Sequence, residues 1–237
     1  MSITVSTVLI SSCKSDEDKD SYGLSKITTF PVMTLTNENV IMVVNKGTQY
    51  VDPGYSAFVG DDDITSTVTV TGTVNVNTPG YYRLTYTAKN PEGYSVSKLR
   101  EVIVVAFADA TTNDLAGEYT SSVVRYNAGV PANRGPYSQI LTKLDANVPG
   151  LYIVQDLLGG WYWIGSAYGL AYAYDGIIFV ETSGVVSLMW ANEHVGWSDG
   201  AIFVGKGTYN AGAKQITFST QMGSVDYMTF NVTLVKK

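Results

Sequence analysis

A chain of 237 residues has room for one or two domains, and with 45% hydrophobic and 15% charged residues it can bury a sizeable core. A net charge of −6 argues against nucleic acid or anionic lipid as a partner, and one cysteine excludes internal disulfides. No apolar run approaches the 18 or so residues of a membrane-spanning helix, and the 23 Gly and 17 Tyr, set among many Thr and Val, make this an all-β composition.

Residues 1–12 carry a short uncharged apolar run, Ile3 to Ile10, which fits the apolar region of a signal peptide and is too short to span a bilayer. No Lys or Arg precedes Cys13, so the basic end of such a peptide is missing. Leu9-Ile10-Ser11-Ser12-Cys13 closes the run, and Lys14-Ser15-Asp16-Glu17-Asp18-Lys19-Asp20 follows at once. The arrangement resembles the lipobox of bacterial lipoproteins. That resemblance implies lipidation at Cys13, with 13–26 a flexible, solvated tether. The acidic stretch also resembles a surface-export signal of the Bacteroides group.

Residues 27–106 read as the first domain. Val40-Ile41-Met42-Val43-Val44 is a buried strand, Lys46-Gly47-Thr48 a turn, and Val51-Asp52-Pro53-Gly54-Tyr55 carries the Pro-Gly signature of a type II turn. Val68, Val70, Val74 and Val76 alternate with polar residues, and Tyr82, Leu84, Tyr86 and Ala88 share one face of the next strand. Val102-Ile103-Val104-Val105 closes the unit. This spacing fits a small β-sandwich. The ordered series Tyr50-Val51-Asp52-Pro53-Gly54-Tyr55, Gly72-Thr73-Val74-Asn75, Pro79-Gly80-Tyr81-Tyr82 and Leu84-Thr85-Tyr86-Thr87-Ala88-Lys89-Asn90 resembles bacterial Ig-like domains of surface proteins, which implies a spacer or docking module without an active site.

Residues 107–114, rich in Thr, Asp and Asn, read as a linker. Residues 115–237 carry about ten short candidate strands separated by glycine-bearing links, among them Trp161 to Ile164 and Ala171 to Tyr174. So many antiparallel strands in so short a stretch suggest a barrel, lipocalin- or calycin-like, or a sandwich. The expected fold is thus all-β: an Ig-like β-sandwich followed by an antiparallel barrel-like or sandwich domain.

No catalytic constellation is found. His194 is the sole histidine, its neighbour Glu193 points to the opposite face if the segment is a strand, and no Gly-x-Ser-x-Gly elbow exists. The carboxylates Asp175, Glu181, Glu193, Asp199 and Asp226 mostly flank turn glycines, where turns favour Asp anyway. No cofactor is expected. A zinc site would need more His or Cys, and Asp61, Asp62 and Asp63 form a compact acidic loop that could hold Ca²⁺ or be a plain solvated turn. The aromatic concentration is the stronger lead. Trp161, Tyr162, Trp163, Trp190 and Trp197 either fill a barrel interior or present flat rings to a sugar or a partner.

The ensemble of lipobox, acidic tether, Ig-like module and glycine-rich β domain resembles two-domain Bacteroides surface lipoproteins. That resemblance implies a non-catalytic protein, lipid-anchored in the outer membrane and facing outward. The partners it implies are a SusC-like transporter and a SusD-like lipoprotein of a nutrient importer, with peptide or glycan as cargo. The competing class is a structural or adhesive surface protein without a small ligand.

Overall fold

A computed structural model describes residues 28–192, 201–222 and 228–237. Among them the first domain contains β1 (Val32–Leu35), β2 (Met42–Asn45), β3 (Tyr55–Val59), β4 (Asp62–Asp63), β5 (Thr69–Thr71), β6 (Gly80–Lys89) and β7 (Ser95–Val105). Two sheets face each other, β1-β3-β4 and β2-β7-β6-β5, with β2 parallel to β7 and every other pair antiparallel. The period-two pattern of β6 places Leu84, Tyr86 and Ala88 between the sheets, against Met33, Leu35 and Ala57. This is the Ig-like sandwich that the turn residues announce.

The Asp52-Pro53-Gly54 run closes this sandwich around a buried charge. Gly54 takes φ +101°, a conformation that favours glycine. Arg100 on β7, only 3% exposed, donates to the carbonyls of Thr36 (2.9 Å) and Gly54 (3.0 Å) and to the Tyr86 hydroxyl (3.2 Å). Asp52 pairs with it at 3.6 Å and accepts hydrogen bonds from the Gly54 N–H and the Tyr86 hydroxyl. One motif, read from sequence as a turn, therefore satisfies the only arginine in this sandwich core.

The second domain contains β8 (Gly117–Asn127), β9 (Val130–Lys143), β10 (Leu151–Val154), β11 (Gly176–Val180), β12 (Val185–Ala191), β13 (Ala201–Phe203), β14 (Gly207–Asn210), β15 (Gln215–Met222) and β16 (Met228–Lys236). Eight of the described strands close a barrel in the order β8-β9-β10-β11-β12-β14-β15-β16, and β16 returns to β8; β13 adds beside the far end of β15. Closure leaves no long open edge.

Two expected strands do not form. Trp161–Gly165 is a π-helical turn and Leu170–Tyr172 a 3-10 turn. Gly159 (φ +68°) and Gly160 (φ +94°) turn the chain back against the barrel wall, so tightly that a Cβ at Gly160 would lie 2.9 Å from Nε2 of Gln139. Because β10 and β11 pair directly with each other, the intervening segment has no edge to join. It folds over the barrel as a cap instead.

The two domains share a core. In β11, Ile178 and Val180 point into the barrel, while Ile177 and Phe179 point out, against Ile103 and Val105 at the end of β7. In β10, Tyr152 and Val154 face inward, while Leu151 and Ile153 join the shared cluster. Residues 107–114 are packed into this junction: Ala110 and Thr111 are buried, the Thr111 N–H donates to the Val180 carbonyl (2.9 Å), and the Thr182 N–H donates to the Asp109 carbonyl (2.8 Å). Each large side chain buried here contributes about 1.5–3 kcal/mol, so the junction is rigid rather than a loose hinge.

Candidate functional site: the barrel cap and its flanking groove

The barrel interior is occupied by its own side chains. Tyr119, Val123, Leu141, Val186, Ile216, Phe218, Phe230 and Leu234 pack into one cluster, as the narrow bore of an eight-stranded barrel requires. Leu157 and Leu158, from the cap, complete that cluster and anchor the cap to it. The described residues therefore leave open only the outer surface and the rim of the barrel.

Asp156 organises the cap. It is fully buried and accepts hydrogen bonds from the main-chain N–H groups of Leu158 (2.9 Å), Gly160 (2.8 Å) and Tyr174 (3.2 Å). These contacts tie the start of the cap to its end. Burial pushes the Asp156 carboxyl up to about 6; the three N–H groups oppose that rise and nearby Asp175 adds to it. The Thr220 hydroxyl adds a further tie by donating to the Leu157 carbonyl (2.9 Å).

The cap divides the aromatic residues singled out by sequence. Trp161 is half-buried against the barrel core. Tyr162 is buried, stacked on Tyr168 with centroids 6.0 Å apart and 7° between planes, and meets Phe230 edge-on. Trp163 is half-buried beside them in sequence. Trp190 is elsewhere, packed against the junction with the Ig-like domain. The structure thus brings Trp161 and Tyr162 to the cap and separates Trp190 from them. Trp197, His194, Glu193, Asp199, Asp226 and Cys13 lie outside the described residues.

Asp61, Asp62 and Asp63 do not converge on a common point, and among the described residues no three His, Cys, Asp or Glu side chains do. Asp62 and Asp63 are consecutive in β4, where extended backbone sends neighbours to opposite faces. The Asp63 carboxylate instead accepts from the Thr65 N–H (2.8 Å), and hydrogen bonding to Thr65 holds it below the usual carboxylate range.

A groove of about 540 Å³ runs along the barrel flank beside the cap. Ile140 and Ile153 form its floor, Leu170 and Ala173 its cap-side wall, and Asp175 and Asn192 its polar end, joined by an Asn192 Nδ2 to Asp175 bond of 2.9 Å. Leu170 is 64% exposed and Ile140 43%. Sequence reasoning missed this groove because its lining comes from four separated segments. Asp156 left a fainter trace, as a lone acid between the apolar runs Leu151–Val154 and Leu157-Leu158.

The barrel and its cap define a recognised domain class. A family described as a C-terminal domain matches residues 108–236, and the Ig-like domain of bacterial surface proteins matches residues 33–104. With more than half its length in the first match, the chain belongs to that C-terminal-domain family. Among solved structures, the lipoprotein BT2262 from Bacteroides thetaiotaomicron is similar: 24% identity, 87% of this chain and 100% of that chain covered, TM-score 0.44. No curated protein matches.

Proposed function

We propose that this chain is a non-catalytic lipoprotein, held at the outer membrane through Cys13, that serves as an accessory component of a SusC/SusD-type nutrient importer. The flank groove is the face that meets an apolar surface of the importer. Peptide or glycan cargo is the importer's business in this reading. The observation that carries it is the groove itself: exposed apolar residues ring a concave surface on a barrel whose interior is already full.

The position of the described N-terminal end supports the same reading. Asn90 Nδ2 donates to the Thr29 carbonyl (2.9 Å), and Phe30 packs on Tyr94, centroids 5.2 Å apart. Both contacts lie at the β6–β7 turn. The opposite end of this hairpin carries Ile103, Val105 and Tyr81 into the barrel junction. At about 3.3 Å per residue, β7 sets the barrel roughly 30 Å beyond the point where the chain enters the Ig-like domain. A lipid-held protein of this shape extends its barrel away from the anchor.

The test is copurification of the lipidated protein from solubilised outer membranes, with Leu170→Asp and Ile140→Asp as groove variants. A SusC-like barrel or SusD-like lipoprotein should come down with the wild type and be lost with the variants. Recovery of neither with the wild type would leave the adhesive alternative in its place.

A further inference from the structure

The chain has four arginines, and the two domains treat them differently. In the Ig-like domain Arg83 lies 3.8 Å from Glu101, and Arg100 lies 3.6 Å from Asp52. In the barrel, Arg125 on β8 and Arg134 on β9 have no carboxylate within ion-pair distance among the described residues. Both instead stack on one indole: the guanidinium carbon of Arg134 is 4.5 Å from the Trp161 ring centroid and that of Arg125 is 5.9 Å away. Their hydrogen bonds go to neutral acceptors, Arg125 to the Met228 sulfur and Arg134 to the Asn133 carbonyl. In a protein with more carboxylates than cations, two guanidiniums stand side by side without one among the described residues.

Their placement is fixed by the sheet. Arg134 pairs across from Val123, which is buried in the barrel core, and Arg125 follows Val123 by two residues. Both arginines therefore lie on the inward face of the wall, at the rim covered by the cap. Below them on the same face sit Ser121 and Gln139, both fully buried. The Ser121 hydroxyl, both amide atoms of Gln139, the Trp161 indole N–H and the Nε atoms of both arginines find no hydrogen-bond partner among the described residues. Folded proteins leave few such atoms, and here they gather under one cap. On the same cap Tyr162 lies next to Trp161, and Tyr168, 52% exposed and stacked on Tyr162, offers a flat ring to solvent.

We propose that this rim is a binding site for an acidic saccharide. The two guanidiniums receive the oxyanion, a carboxylate or a sulfate ester, and Trp161 and Tyr168 supply apolar surface for the ring. Guanidinium forks match such oxyanions in charge and geometry. The hydroxyls of the sugar satisfy neighbouring polar groups of the rim. This site rests on the reading of the barrel, rather than the Ig-like domain, as the contact-making half of the protein, but it does not depend on an importer.

Isothermal titration of the full chain at low ionic strength tests it, with galacturonate, glucose 6-sulfate, neutral glucose and inorganic sulfate as separate titrants. At least one acidic sugar should bind, at least about tenfold more tightly than glucose, and binding should weaken with added salt. The arm that binds identifies the oxyanion as carboxylate or sulfate ester. Arg125→Gln and Arg134→Gln should each lose about tenfold, and Arg134→Lys, which keeps charge without the planar fork, should fall between. Silence of both acidic sugars, equal binding of glucose, or unchanged affinity in the double Gln variant would overturn the site. Inorganic sulfate binding as tightly as the sugars would overturn the saccharide assignment. Because these titrations use the isolated protein, their failure leaves the copurification result standing, and the reverse.

Discussion

In the Ig-like domain a buried charge is neutralised by an opposite one: Arg100 meets Asp52, two carbonyls and a tyrosine hydroxyl. In the barrel domain the most deeply buried carboxylate, Asp156, has no cation beside it among the described residues and is held by three main-chain N–H groups. The first arrangement ties two sheets together wherever both groups are charged. The second ties a cap to its own ends, and its strength follows the protonation of one carboxyl. The Ig-like domain is thus tied by an ion pair, whereas the ties of the cap rest on a single titratable carboxyl.

The contrast is broken most forcefully at Arg100. Arg100→Ala should cost about 3–5 kcal/mol, measured by urea unfolding, because it strands Asp52 and two carbonyls. A loss under about 1 kcal/mol would mean that the pair behaves like a surface contact.

The shared core between the domains comes next. Phe179→Ala should cost about 3 kcal/mol, since the ring is buried between β11 and the end of β7. Calorimetry of the wild type should give a single transition, and this variant should separate it into two. Two transitions in the wild type would show that the domains fold independently.

Gly160→Ala should cost about 1–3 kcal/mol, because the residue sits at φ +94° with Gln139 and Tyr137 against it. Loss of the cap's tryptophan fluorescence signature before global unfolding is the readout, and an unaffected cap would contradict the close approach seen here.

The smallest effect is that of pH on Asp156. Its folded pKa, about 6, lies above that of a free carboxyl, so the stability linked to protonation is fully present at pH below about 4 and is lost as pH rises through about 6. The wild type should therefore lose cap stability between pH 4 and 7, and Asp156→Asn should not show that component. A wild-type advantage over the variant that grows with pH would reverse the sign and refute the assignment.

Alternation in β6 and the positive-φ glycine of the Asp52-Pro53-Gly54 run were readable because each is local. The sequence Ile177-Ile178-Phe179-Val180 was also readable as a strand, but its lack of alternation carried a further meaning: one face serves the barrel and the other the junction. Trp161 to Ile164 misleads because Trp, Tyr and Ile favour strands, while two preceding glycines and the absence of a free edge turn the segment into a cap. Trp161 lies 36 residues after Arg125 and 27 after Arg134, and only the β8–β9 register and the cap bring the three together. Asp156 looks like any loop aspartate until its burial is known.

The claim at the centre of this account is that the barrel flank makes the contacts and the Ig-like domain sets the distance. Photo-crosslinking in living cells tests it directly, with the crosslinker placed either at Leu170 on the groove or at Phe58 on the Ig-like domain, both exposed. The account predicts an outer-membrane partner captured from position 170 and none from position 58. Capture from position 58 alone would contradict it.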